Sequence, residues 1–207
     1  MHITVFGASG KVGSLLTQEL LRRGHTVCAL VHSTPLAPQP GLKVVRGDIN
    51  TRSDIEQALQ GAEVIISTLG SWGTRDKNIL STAMTYVVPA MRAAGIHRII
   101  SLTGNLAAYP GEKRSPLYEA QKAVANFAFP KILRDGEDHI SLLAKSGLDY
   151  TVVRSPVMTN QKALAYTLTA QARLSNIFVP RRAVAHALAD IAEQDNWVRQ
   201  CPYIAHG

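Results

Sequence analysis

Long apolar runs are missing from these 207 residues. Nothing approaches the roughly 20 consecutive apolar residues that a membrane-crossing helix needs, so no membrane partner is expected. The opening Met-His-Ile-Thr-Val has neither the basic region nor the apolar stretch of a secretory leader, which predicts a cytoplasmic protein. Cysteine is scarce as well. Cys28 and Cys201 sit in separate apolar segments without metal-ligand spacing, which argues against a disulfide framework and against a metal site. Acidic residues number 15 against 22 lysines and arginines, a net charge of +7. Such a surplus raises the question of nucleic acid. The bases, however, fall in scattered pairs (Arg22-Arg23, Lys113-Arg114, Arg181-Arg182), with no basic helix and no interleaved aromatics, so no nucleic-acid partner is expected. A solvated surface with attraction for a phosphorylated cofactor accounts for the charge.

What is present begins at the first residues. The apolar run His2-Ile3-Thr4-Val5-Phe6 leads into Gly7-Ala8-Ser9-Gly10-Lys11-Val12-Gly13, and a helical pattern follows to about residue 22. Glycines at this spacing let the chain leave a strand sharply and bring bare amides to a pyrophosphate, with the next helix packed close. The N-terminus of that helix then faces the anion. Gly7, Ser9, Gly10, Lys11, Val12 and Gly13 are therefore candidate cofactor-binding residues.

Short Val/Ile-rich runs alternate with helical patterns along the rest of the chain. The strands are expected at 2–6, 26–31, 43–45, 63–67, 98–103 and 150–154, and the helices at 12–22, 52–60, 76–94 and 117–146, with Pro130 splitting the last. Near-continuous apolar strands separated by helices predict an α/β fold of Rossmann type: a doubly wound parallel sheet with helices on both faces. Its ligand crevice lies beyond the carboxyl ends of the strands. After Pro156 the pattern loosens, with short strands at 163–169 and 176–179 and a helix at 181–193. One domain over 1–207 is expected, with 156–207 as a small C-terminal lip on the substrate side.

The strand ends supply further candidates. After the second strand, where an acidic residue would bind the ribose 2′-hydroxyl of NAD, stand His32, Ser33 and Thr34. Donors there, with Lys11 nearby, favour the 2′-phosphate of NADP, NAD remaining possible. Asp48, beside Ile49, either accepts from the adenine amino group or simply begins a turn. Thr68, Leu69 and Gly70 are small enough for close backbone approach. Trp72 is either a wall of the site or plain packing.

The glycine loop, Gly47-Asp48-Ile49, the segment His97 to Thr103 and above all Ser146-Gly147-Leu148-Asp149-Tyr150-Thr151-Val152-Val153-Arg154-Ser155-Pro156 resemble the atypical short-chain dehydrogenases with an NmrA-like NAD(P)-binding domain, nearest to the small flavin reductases and biliverdin-IX-beta reductases. The resemblance spans nearly the whole chain. It implies one Rossmann domain holding NADP(H) or NAD(H), with Thr103 and Pro156 beside the cofactor and a broad pocket at the nicotinamide. The chain departs from that group in three places: Gly104 where a serine follows the fifth strand, His32 where arginine is common, and Ala183 where aspartate opens the late helix.

Tyr118-Glu119-Ala120-Gln121-Lys122 has the Tyr-x-x-x-Lys spacing of ordinary short-chain dehydrogenases. Residues four apart share a helix face. A lysine there would lower the phenol pKa and make Tyr118 a general acid or base, with Thr103 holding the substrate oxygen. Otherwise Tyr118 packs at the lip. Asp138-His139 reads as a surface pair, and Tyr109 either stacks on a planar substrate or covers the loop. The leading expectation is an NAD(P)H-dependent oxidoreductase acting on a small-molecule acceptor such as a flavin, quinone or carbonyl compound, as a monomer or weak homo-oligomer. An NAD(P)-sensing regulator without turnover and a sugar-nucleotide epimerase or dehydratase are the alternatives.

Overall fold

The computed structural model describes residues 1–172 and 177–207. The first crossover follows the sequence pattern closely. Strand β1 (His2–Phe6) buries alternate residues on opposite faces, Ile3 and Val5 in one core and Phe6 in the other. Helix α1 (Gly13–Arg22) then covers the first face with Leu16 and Leu20, both fully buried. Burial of such a side chain contributes about 1.5–3 kcal/mol. Strands β2 (Thr26–Val31) and β3 (Leu42–Arg46) extend the sheet to one side of β1. After helix α2 (Arg52–Leu59) the chain returns as β4 (Val64–Ser67) on the other side of β1, followed by α3 (Ile79–Ala93) and β5 (Arg98–Gly104).

The helical region 117–146 is split at Pro130, as expected. Helix α4 (Pro116–Ala128) ends at Phe129, and α5 (Pro130–Ala144) begins at once with proline in its first turn, where its missing N–H costs nothing. Strand β6 (Asp149–Ser155) pairs with β5 over seven residues in parallel register, from Arg98 opposite Asp149 to Gly104 opposite Ser155.

The C-terminal part differs from the expected lip. Two strands went unforeseen: β7 (Val157–Thr159), and β10 (Tyr203–His206), which joins the main sheet beside β6. The run at 163–169 forms β8 (Tyr166–Thr169), antiparallel to β10. The run at 176–179 corresponds to β9 (Phe178–Pro180), paired with β7 in a separate ribbon, and Asn176 lies outside the described residues. Helix α6 (Arg181–Gln194) packs eight of its residues into the core on the α1 side. Strands β8 and β10 and helix α6 of the segment after Pro156 thus belong to the main sheet and its covering layer.

The main sheet has the order β3-β2-β1-β4-β5-β6-β10-β8, all parallel apart from the β8 edge. Helices α1 and α6 cover one face, and α2, α3 and α5 the other. The chain runs outward from β1 in one direction through β3 and in the other from β4 onward. The crevice of such a sheet opens at this switch point, between the carboxyl ends of β1 and β4.

Candidate active site

The turn after β1 is built for close backbone approach. Gly7 has φ +77°, and its carbonyl accepts from the Gly10 amide at 2.9 Å. A Cβ on Gly13 would lie 2.1 Å from the Gly7 oxygen and 2.7 Å from Thr68 Oγ1, so only glycine fits there. The Thr68 hydroxyl donates to the carbonyls of Phe6 and Gly7, which ties the end of β4 to the loop at the switch point. Ser9, Gly10 and Lys11 are exposed above it, while Val12 is buried and seats α1 on the sheet. The amides of Lys11, Val12 and Gly13 take no backbone acceptor among the described residues and are free to bind an anion.

Around this loop the other strand ends fall as the fold requires. His32 and Ser33, after β2, are exposed, and His32 Nε2 lies 3.7 Å from Asp48 Oδ2. Asp48 itself closes a turn: its Oδ1 accepts from the Asn50 amide and its own amide donates to Asp54. Ile49 and Leu69 are half-buried against the second core, whereas Gly70 is exposed. Trp72 projects into solvent with its edge against Phe129 at 4.7 Å. The cofactor candidates thus gather along one crest of the sheet.

The three catalytic candidates do not bond to one another. Thr103 is buried at the end of β5 with its hydroxyl turned toward α5, where a Cβ on Gly136 would come within 2.8 Å of it. Lys122 Nζ meets Glu137 of α5 at 2.7 Å. The Tyr118 hydroxyl donates to the Asn105 carbonyl, and its amide is capped by the Ser115 side chain. Burial pushes the Tyr118 phenol above its ordinary value, against the opposing charge of Arg114, whose guanidinium stacks 4.6 Å from the ring centroid. No lysine lowers it.

Tyr118 forms one wall of a small cleft that opens beyond β5, β6 and β10. Asn105, Gln121, Pro156 and Tyr203 line it with Tyr118. Behind the tyrosines lies a charge cluster. Arg154 grips Glu112 with two hydrogen bonds of 2.6 and 2.9 Å, Arg114 adds one of 2.9 Å, and the Tyr203 hydroxyl donates to the same carboxylate at 3.0 Å. Arg154 also stacks 3.7 Å from the Tyr203 ring centroid and donates to the Cys201 carbonyl. Burial opposes ionisation of Glu112, but the two guanidiniums outweigh it and hold the carboxyl down to about 2. Burial pushes the Tyr203 phenol up.

Glu112, Arg114, Arg154 and Tyr203 went unnoticed as a group in the sequence. Arg154 offered one signal: an arginine inside an apolar strand must find an anion, since an unpaired buried charge is prohibitive. His139 also differs from expectation. It is fully buried, not part of a surface pair, and its Nε2 is 2.8 Å from Ser101 Oγ; burial pushes it down to about 4. Position 139 falls on the inward stripe of α5 with Asp135, Ile140 and Leu143. Tyr109 covers the loop, its hydroxyl 3.3 Å from that of Tyr150.

A doubly wound sheet with a glycine-lined anion cradle at its switch point defines a dinucleotide-binding Rossmann protein. The chain belongs to the NAD(P)H-binding family, whose model matches residues 7–195. Among curated proteins it is similar to a 2-alkyl-3-oxoalkanoate reductase of Shewanella oneidensis, 27% identical over 134 residues, which cover 61% of this chain and 34% of that protein. It is also similar to a 3-diazoavenalumate denitrifying reductase of a Streptomyces species, 32% identical over 135 residues, covering 57% of this chain and 44% of that one. The matched stretches thus span half or less of these relatives' length. Among solved structures, a short-chain dehydrogenase/reductase from Veillonella parvula in complex with NADP superposes with TM-score 0.82 at 21% identity, covering 99% of this chain and 94% of that one. The anaerobillin reductase ChuY from Escherichia coli gives 0.83 at 24%, covering 100% and 97%. Among the described residues no helix is long and apolar enough to cross a membrane.

Proposed function

We propose that the chain is an NAD(P)H-dependent reductase that passes a hydride to a planar acceptor of the flavin or quinone class without a protein acid. The observation that carries this is the state of the two phenols at the cleft. The Tyr118 hydroxyl donates to the Asn105 carbonyl and that of Tyr203 to Glu112, so both protons are already held by protein acceptors, and burial, which raises both phenols, makes them weaker acids still. What the cleft presents instead is two rings backed by arginines, with Asn105 and Gln121 as polar groups to orient a flat molecule. An acceptor that can take its proton from water fits such a site; a simple ketone does not.

The residues present fit the cofactor. Gly7 and Gly13 leave room that any Cβ would fill, and the free amides at Lys11 to Gly13 would hold the pyrophosphate. When bound, the nicotinamide supplies the hydride, and the protein's part is to hold its ring against the acceptor with water excluded. Support for NADP(H) over NAD(H) comes from two basic side chains: Lys11 in the glycine loop, without a carboxylate partner among the described residues, and His32 after β2, 3.7 Å from Asp48, where this type of fold reads the ribose. The Veillonella protein's NADP and the reductase names of the relatives support the same reading.

The test is to mix purified protein with NADPH or NADH and a panel of free flavins, quinones, ketones and aldehydes. Acceptor-dependent oxidation of NADPH with flavins or quinones is expected. Turnover confined to ketones and aldehydes, or none at all, overturns the proposal.

A further inference from the structure

Apolar side chains that ought to be covered stand on both lips of the cleft. On one lip, α4 buries Tyr118 alone, while its solvent side carries Leu117, Val124 and Phe127, the last 92% exposed. Glu119 and Lys122 are the only charges within that helix, and Lys122 is engaged by Glu137. On the other lip, Val157, Ile177 and Phe178 are more than half exposed, and Ile177 lines the cleft itself. Large apolar groups gathered in this way mark an interaction surface.

The charge around them identifies what covers it. Between Asp149 and Asp190 the chain has no carboxylate at all. In the same stretch lie Lys162 and Arg182, both exposed and without a carboxylate partner among the described residues, and Arg181, which donates to Asn160. The β7–β9 lip, which mixes these bases with Val157, Ile177 and Phe178, fits an anionic lipid surface: the bases meet headgroups while the apolar tips enter the interface, and Glu119 on α4 is the one carboxylate of the other lip's helix.

We propose that the cleft mouth docks on an anionic lipid surface through these two lips. An acceptor of the quinone class dissolved in that surface then reaches Tyr118 and Tyr203 without crossing bulk water. The missing apolar run bears on crossing a bilayer and not on lying against one. The choice of acceptor rests on the reductase reading; the docking does not.

The full chain is sedimented with phosphatidylcholine vesicles, with and without phosphatidylserine, at low and high salt. Co-sedimentation only with phosphatidylserine, weakening as salt rises, is expected. Each basic side chain at an anionic surface contributes about fivefold to partition, so K162Q combined with R182Q should lower it about 25-fold. Arg182 opens α6, where positive charge opposes the helix dipole, so its removal spares the fold. Phe178→Ser should weaken binding with NADPH binding, read by fluorescence, unchanged. No pelleting, pelleting indifferent to phosphatidylserine, or a dimer in solution that Phe127→Ser dissolves and that ignores vesicles would each overturn the docking. Docking without turnover of any flavin or quinone overturns the reductase reading alone, and turnover of soluble flavins or quinones without vesicle binding overturns the docking alone.

Discussion

Replacing Tyr118 by phenylalanine separates the two ways in which this site can work. A positioned general acid contributes about 10²- to 10⁴-fold to rate, which is about 3–5 kcal/mol of barrier. If Tyr118 supplied the proton, Tyr118→Phe would lose that much. In the structure its hydroxyl donates to the Asn105 carbonyl, burial raises its pKa, and the lysine four residues on is bound to Glu137. The variant should therefore leave one carbonyl without its donor, a stability cost of about 1–3 kcal/mol. The ring wall of the cleft and the stacked Arg114 remain. Steady-state oxidation of NADPH with a quinone should show kcat within about threefold of the parent and no new ionisation between about pH 6 and pH 9, in keeping with hydride transfer that needs no acid. Lys122→Met should change kcat as little, because its partly exposed pair contributes at most about 1 kcal/mol. A fall in kcat of about 100-fold or more in a variant whose circular dichroism is unchanged would refute the reasoning.

Further outcomes follow from the same geometry. Glu112→Gln leaves Arg114 and Arg154 buried without their anion, and urea unfolding at neutral pH should show a loss of about 3–5 kcal/mol. Because the folded-state pKa of Glu112 is depressed to about 2, the parent holds this stabilisation above the usual carboxylate range near pH 4.5 and loses it as pH falls from there toward 2. The glutamine variant should lack that part of the acid slope, and an identical slope would count against the assignment. Gly13→Ala forces a Cβ to 2.1 Å from the Gly7 carbonyl, so calorimetry should find NADPH binding weakened at least about tenfold and stability lowered by about 1–3 kcal/mol. His32→Asp should shift the ratio of KM values toward NADH by about tenfold or more, since the acid accepts from a 2′-hydroxyl and repels a 2′-phosphate; an unchanged ratio would remove His32 from cofactor choice.

The core strands and the glycine loop were legible because their signals are local. Val5, Val27 and Ile65 lie in apolar runs that a sheet covered on both faces demands, and Gly7, Gly10 and Gly13 sit at the spacing that a strand-to-helix turn requires. Strand β10 was not legible: four residues at the end of the chain carry too little pattern, and their place is decided by β6 and β8. The Tyr-x-x-x-Lys spacing correctly puts Tyr118 and Lys122 in one helix, yet it says nothing of Glu137, which takes the lysine away.

The sequence by itself determined the alternation of elements and the anion cradle, since hydrophobic period and glycine spacing act over a few residues. Only the tertiary structure decided what the cleft can do. Glu112 and Arg154 lie 42 positions apart and Tyr203 a further 49 beyond Arg154, and no local rule foretells that Arg154 and Tyr203 will share the Glu112 carboxylate. Their meeting depends on how the sheet brings the ends of β5, β6 and β10 side by side, and that is a property of packing between distant segments.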